Sequence, residues 1–464
     1  MRERASRPLC RAALRRRIFA WTAIKQKRKA APFNARCAIF ALSGSMYMGS
    51  VFLALFEGPG KETAMNKKQD LIKEHLEKSG GILNLIPVFV PRRFGSAGHR
   101  LKLHPDDYYA LGTKRGSIKE RWFSSVICPM NGTDAAEDEG LSYVNLTGRL
   151  ENKISLRDFV NTLKGELIGS ALYDKYGNWP MYSKFFDYEG PLFHHLHLSF
   201  EAAARVGKLG KPEAYYFPPQ YNNYMGKFPH TYFGFDPDVT REEVKERLKG
   251  YTDRDTRITE LSRAYRVELG TGWYTPPGVV HAPGSVLTYE PQWNSDVNSV
   301  YENICDNEIY DYSFLAENCP EDKWLDLDYI LDLLDWEKNV DPHYRKSYFR
   351  PPITIAENEQ YTEKWIAYGN DYIAAKELTV QPGARVMIQD DTPYGCILVQ
   401  GYGKIGAHNC ACATMLRFGQ LSQDEFFVSY DAAKQGVSIE NHSSCEPLVM
   451  LKHFPSNSLV PRAE

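Results

Sequence analysis

The stretch Phe193-His194-His195-Leu196-His197 sets imidazoles at alternate positions. On a β-strand alternate side chains share a face, so His195 and His197 point together while His194 and Leu196 point away. Two imidazoles on one face form a pincer for zinc or another divalent metal. Taken alone, such a pair reads equally well as a polar sheet rim. Two further elements shift the balance towards metal. Gly270-x5-Pro276-x-Gly278-x-x-His281 reads as a strand, a Pro-Gly turn that fixes the backbone, and a histidine entering the next strand. Between the two lies Lys211-Pro212-Glu213, which supplies a carboxylate. His195, His197, Glu213 and His281 would together hold one divalent metal, leaving positions for water or substrate oxygens. Zinc is the first expectation, with manganese or iron as alternatives.

Such ligands need rigid strands beneath them, and the sequence has the right cadence. From Ile82 to Phe200 short apolar stretches alternate with turn residues: Ile86–Val90, Trp122–Val126 and Leu141–Asn145. This pattern predicts antiparallel β-structure with long loops. Helices are predicted over Asn66–Lys78, Leu156–Ala171 and Thr240–Gly250, the last with Thr240 as N-cap and Glu243 completing a capping box. Glu317–Asn339 reads as a helical connector. A second β-rich block runs from Ile353 to Phe454, with the strand, Pro-Gly turn and Gly-rich hairpin of a small jelly roll.

Charge and cysteine usage exclude some functions. Residues 1–64 hold 13 Lys/Arg against 3 Asp/Glu, so totals of 56 and 58 leave 43 against 55 in the body. A net-acidic body offers no general electrostatic footprint for nucleic acid. Nine cysteines, an odd number without any CxxC pair, fit a reducing compartment better than a disulfide scaffold. The expectation is a cytoplasmic protein. Within the basic leader, Cys37–Phe56 is an uncharged run that would read as a membrane anchor. The favoured reading makes 1–64 an upstream extension, with the folded body starting at Met65 and having no membrane partner.

Several of these segments resemble one known family. The turn ending at His281 is similar to the second cupin motif. Trp179-Pro-Met-Tyr-Ser-Lys184-Phe-Phe-Asp187, running into His195-Leu-His197, resembles a stretch of the type I phosphomannose isomerases. So do Lys211-Pro-Glu213, Tyr232-Phe-Gly234-Phe235, Gly272–His281 and Glu290-Pro-Gln292-Trp-Asn294-Ser295-Asp296; Ile118-Lys-Glu120-Arg-Trp122 is a fainter echo. The resemblance spans roughly Ile118 to Asp296.

That resemblance implies a mainly β fold of two cupin (jelly-roll) domains with a helical connector. The metal-binding catalytic domain would cover 65–310, the connector 311–349, and a second cupin without metal ligands 350–464. It implies a metal-dependent aldose–ketose isomerase taking mannose 6-phosphate to fructose 6-phosphate. The metal ligands would be His195, in place of the family's usual glutamine, with His197, Glu213 and His281. Lys211 and Glu290 are the catalytic candidates, and which of them is the base stays open. A nearby cation would lower the pKa of Lys211. Lys184, Asp296 and Arg266 are expected to bind substrate, and a homodimer is left open. One departure bears on the substrate. Four positions past Asp296, where the family has a phosphate-binding arginine, stands Val300, which offers no donor. The alternatives are therefore an isomerase of an unphosphorylated sugar, or a non-isomerase cupin (dioxygenase or sugar-binding).

Overall fold

The strand Met181–Phe186 is buried along its whole length, with residue types that alternate between two kinds of surroundings. Met181, Ser183 and Phe185 face one way; Tyr182, Lys184 and Phe186 face the other. It lies inside a seven-stranded antiparallel sheet that also contains Ile118–Phe123, Thr288–Trp293, Glu213–Tyr216 and Gly272–Thr275. In the computed structural model, which describes residues 59–462, one face of this sheet meets a five-stranded sheet. That second sheet contains His195–Leu196, His281–Ala282, His230–Phe235, Ser262–Arg266 and Ser299–Val300. An aromatic layer of Phe186, Tyr215, Phe233 and Trp273 fills the space between them.

The other face of the seven-stranded sheet packs against the C-terminal half. Met181, Phe185 and Tyr289 share one apolar core with Leu378, Ile397, Phe426 and Leu451. There a nine-stranded sheet and a four-stranded sheet gather the strands after Ile353. The strand Ile82–Ile86 joins the nine-stranded sheet, pairing Leu83 with Phe427. From Ala64 onward the chain is one compact unit, mainly β, antiparallel and cupin-like.

The helices follow their capping residues. The Glu243 N–H donates to Thr240 Oγ1 at 3.2 Å, which starts the helix Arg241–Leu248 as the sequence predicts. The single helix expected over Leu156–Ala171 is instead three short ones, broken at Lys164 (φ 52°) and Gly169 (φ 84°). The connector is likewise divided. Asp326 and Asp335 each accept a backbone N–H and start a new short helix, Leu327–Leu331 and Trp336–Asn339. Among the described residues, no helix is long and apolar enough to cross a membrane. The uncharged run at 37–56 lies outside the described residues, as does almost all of the leader.

Candidate metal centre

The two facing sheets of the N-terminal half each contribute ligand-type side chains to one buried point. In the five-stranded sheet His195 and His281 are direct partners on adjacent strands, and His197 follows just past the strand end. Ring centroids lie 4.2 Å apart for His195–His281 and 5.0 Å apart for the other two pairs. Their potential ligand nitrogens all fall within 4.8 Å of one another. From the opposite sheet Glu213 brings Oε2 to 2.9 Å from His197 Nε2 and Oε1 to 3.1 Å from His281 Nε2.

Hydrogen bonds on the far side of each ring fix its tautomer. Nδ1 of His195 meets the Phe193 carbonyl at 2.9 Å, that of His197 the Val297 carbonyl at 2.7 Å, and that of His281 the Val279 carbonyl at 2.9 Å. A carbonyl only accepts, so each Nδ1 carries the hydrogen and each Nε2 presents a lone pair inward. Burial holds the His195 ring well below the ordinary histidine value and brings His197 down to about 4, keeping both neutral. Neither Glu213 oxygen has a hydrogen-bond partner, nor has His281 Nε2. Lys211 Nζ lies 2.9 Å from Glu213 Oε2 as an ion pair and donates to His197 Nε2 at 3.0 Å. Buried acceptors facing acceptors repel, and a cation between them removes that penalty. Three imidazoles with outer partners and one carboxylate fit a divalent metal of the zinc, manganese or iron class.

The turn that presents His281 is held by the connector. Gly278 has φ 82°, a left-handed conformation that suits glycine, and its N–H donates to the His197 carbonyl at 2.8 Å. Asn339, fully buried, accepts from the Val280 N–H at 2.9 Å and donates to the Gly278 carbonyl at 2.7 Å. Nothing in the connector's helical pattern had marked this asparagine.

Around the ligands sits a second layer of charge. Glu290 pairs across the strands with Lys184. Lys211 and Lys184 lie 3.4 and 3.5 Å from Glu290 Oε1. Burial, with Glu213 nearby, pushes the Glu290 carboxyl up to about 8. Burial pulls Lys211 down, but Glu213, Glu290 and Asp296 outweigh it and hold the ammonium above its usual value. These three carboxylates act against the lowering that a nearby cation would cause, and only Glu213 of the three lies close to Lys211 in sequence. Burial likewise raises Asp296, yet Arg92 outweighs it and keeps the carboxylate well below its ordinary range.

His195, His197, Lys211, Glu213, Glu290, Lys184 and Asp296 line one pocket, and His281, fully buried, contacts Glu213. Arg266 does not join them; it is exposed on the strand Ser262–Arg266, at an edge of the five-stranded sheet. The sequence reading missed Arg92 and gave Glu120 no role. Arg92, just after the strand Val88–Pro91, bonds Glu120 and Asp296 together, and both sit in the pocket wall. The faint resemblance around Glu120 was the available signal for that residue; Arg92 had none.

Solved structures share this fold. Mannose 6-phosphate isomerase from Bacillus subtilis is 15% identical over 80% of this chain and 99% of its own, at a TM-score of 0.53. A variant of phosphomannose isomerase from Salmonella typhimurium is 12% identical over 81% and 100%, at a TM-score of 0.55. The fold is that of the phosphomannose isomerases. A mannose 6-phosphate isomerase bound with zinc and yttrium, 12% identical over 81% of this chain and 100% of its own, matches with a TM-score of 0.53. No protein-family model and no curated protein sequence matches the chain.

Proposed function

We propose that this protein is a metal-dependent aldose–ketose isomerase resembling mannose-6-phosphate isomerase. The observation that carries the reading is the convergence of three tautomer-fixed imidazoles on the Glu213 carboxylate, whose Oε1 faces His281 Nε2 with no donor between them. His195, His197, Glu213 and His281 are the proposed ligands. The catalytic domain would be 65–310, with 311–349 supporting it and 350–464 a cupin half without metal; among the described residues this is the one three-residue ligand cluster found.

Isomerisation moves a proton between C1 and C2 while negative charge develops on the two attached oxygens. A bound divalent cation supplies Lewis-acid stabilisation of that charge. The rest falls to the chain's own groups. Lys211 and Glu290 lie 3.4 Å apart beside the ligands; Lys211 keeps its proton, so the ionised form of Glu290 is the group left to take the carbon-bound proton. Lys184 holds Glu290 from the opposite side. The Arg92–Asp296 pair and the rings of Phe94 and Phe193 complete a wall that positions sugar hydroxyls and excludes water. The test is incubation of metal-loaded protein with aldoses and their phosphates in heavy water. Expected is aldose–ketose interconversion with deuterium entering the transferred position, lost on chelation and restored by divalent metal. Oxygen consumption without interconversion, or bound metal with no interconversion of any sugar, would overturn the reading.

A further inference from the structure

Each cation of the pocket faces a carboxylate of the same wall. Arg92 has five N–H donors, and all five are used: Nε and one Nη2 hydrogen on Glu120, the other Nη2 and one Nη1 hydrogen on Asp296, and the last on Asn131 Oδ1, at 3.0 to 3.1 Å. Lys211 lies 2.9 Å from Glu213 Oε2 and 3.4 Å from Glu290 Oε1, and Lys184 stands between Glu120 and Glu290 in longer ion pairs of 3.7 and 3.5 Å. The lining thus sets three cations against five carboxylates, the fifth being Glu317.

A phosphate dianion needs several donors it does not have to share. Among the described residues the pocket lining has no cation without a carboxylate partner. Outside it, Lys208 donates to Asn318 Oδ1 and Met130 Sδ, and Arg266 is exposed on its edge strand. Val300 is fully buried with Phe193, Cys305 and Tyr310. A sugar hydroxyl makes the opposite demand, because it can donate to the carboxylate oxygens that such a wall presents. The apolar rings of Phe94 and Phe193 add a surface for the C–H face of a sugar.

We propose that the site takes a neutral, unphosphorylated aldose and discriminates against sugar phosphates, because every lining cation is neutralised by a carboxylate of the same wall. This rests on the isomerase reading and names its substrate class.

Binding tests it separately from turnover. Metal-loaded protein is titrated calorimetrically with a panel of five- and six-carbon alditols, then with the terminal phosphate of the tightest binder. The neutral alditol should bind at least about tenfold more tightly than its phosphate, the value of roughly one charge-assisted contact. Equal or tighter binding of the phosphate, or no binding of any alditol, would overturn the proposal. If alditols bind but no aldose is isomerised, the isomerase reading fails and the discrimination stands. Asp296→Asn releases part of Arg92, so it should tighten the alditol phosphate by about tenfold relative to the alditol. An unchanged ratio in that variant would refute the stated cause.

Discussion

Two buried clusters of charge, one in each half of the molecule, end in opposite ways. In the C-terminal half Lys452 meets Glu363 and Asp390 Oδ2 (2.8 Å for the latter), while Lys376 meets Asp390 Oδ1 at 2.7 Å and Glu363 Oε2 at 3.4 Å. Two cations and two anions close a ring in which each carboxylate oxygen faces a lysine. In the N-terminal half three imidazoles and Glu213 turn acceptors toward one another; Lys211 meets Glu213 Oε2 at 2.9 Å and His197 Nε2 at 3.0 Å, but Glu213 Oε1 and His281 Nε2 face each other with no donor between them. Burial is equally deep in both. The difference is saturation: a closed ring needs nothing more, while converging acceptors need a cation. Strong burial of charge is thus weak evidence of function until the hydrogen bonds have been counted.

Breaking the closed ring should give the largest change in stability. Lys452→Met leaves two buried carboxylates with one lysine, and unfolding free energy should fall by about 3–5 kcal/mol. Metal content of the surviving folded protein should be unchanged, as measured by denaturant titration beside elemental analysis. A loss of metal in this variant would mean that the halves are not chemically separate.

The support of the His281 turn should be intermediate. Asn339→Ala removes the acceptor for the Val280 N–H and the donor to the Gly278 carbonyl, and should lower stability by about 2–3 kcal/mol. Because that turn aims His281, metal affinity should also weaken by about tenfold, as for an outer partner of a ligand. Stability lost with metal affinity unaltered would limit Asn339 to the fold.

The smallest effect concerns the seam between the halves. His453 Nδ1 lies 2.9 Å from Ser183 Oγ and 3.0 Å from the Tyr289 hydroxyl, both on the seven-stranded sheet. Burial pulls this ring down to about 3 from 6.5, so it stays neutral in the fold while the unfolded chain takes up a proton below 6.5. Its contribution is therefore complete above pH 6.5 and is lost progressively as pH falls towards 3. Between pH 7 and 5.5 the loss should be about 1 kcal/mol. His453→Phe should flatten the stability–pH curve by that amount; an unaltered slope would contradict the assignment.

Local periodicity was legible in the sequence, and distant pairing was not. The alternation in His195-Leu-His197 and the glycine turn before His281 each lie within a dozen residues, so strand geometry alone predicts their facing. Lys211-Pro-Glu213 carried its carboxylate into the same point. Arg92 was invisible because its partner Asp296 is 204 residues away and a single arginine has no period. Arg266, near the turn in sequence, lies on an edge strand and faces out. The helix break at Gly169 was signalled by its glycine, whereas Lys164 takes a left-handed conformation that its residue type does not announce.

The metal content of purified wild-type protein beside Glu213→Gln, by elemental analysis after dialysis against buffer containing equimolar zinc, manganese and iron(II), tests the central claim most directly. The account predicts close to one divalent ion per wild-type chain. In the variant, with a neutral amide in place of the carboxylate, affinity should fall by more than the roughly 10- to 100-fold expected for an outer partner. Wild-type protein that retains no divalent ion, or a variant that keeps it at full occupancy and equal affinity, would contradict the account.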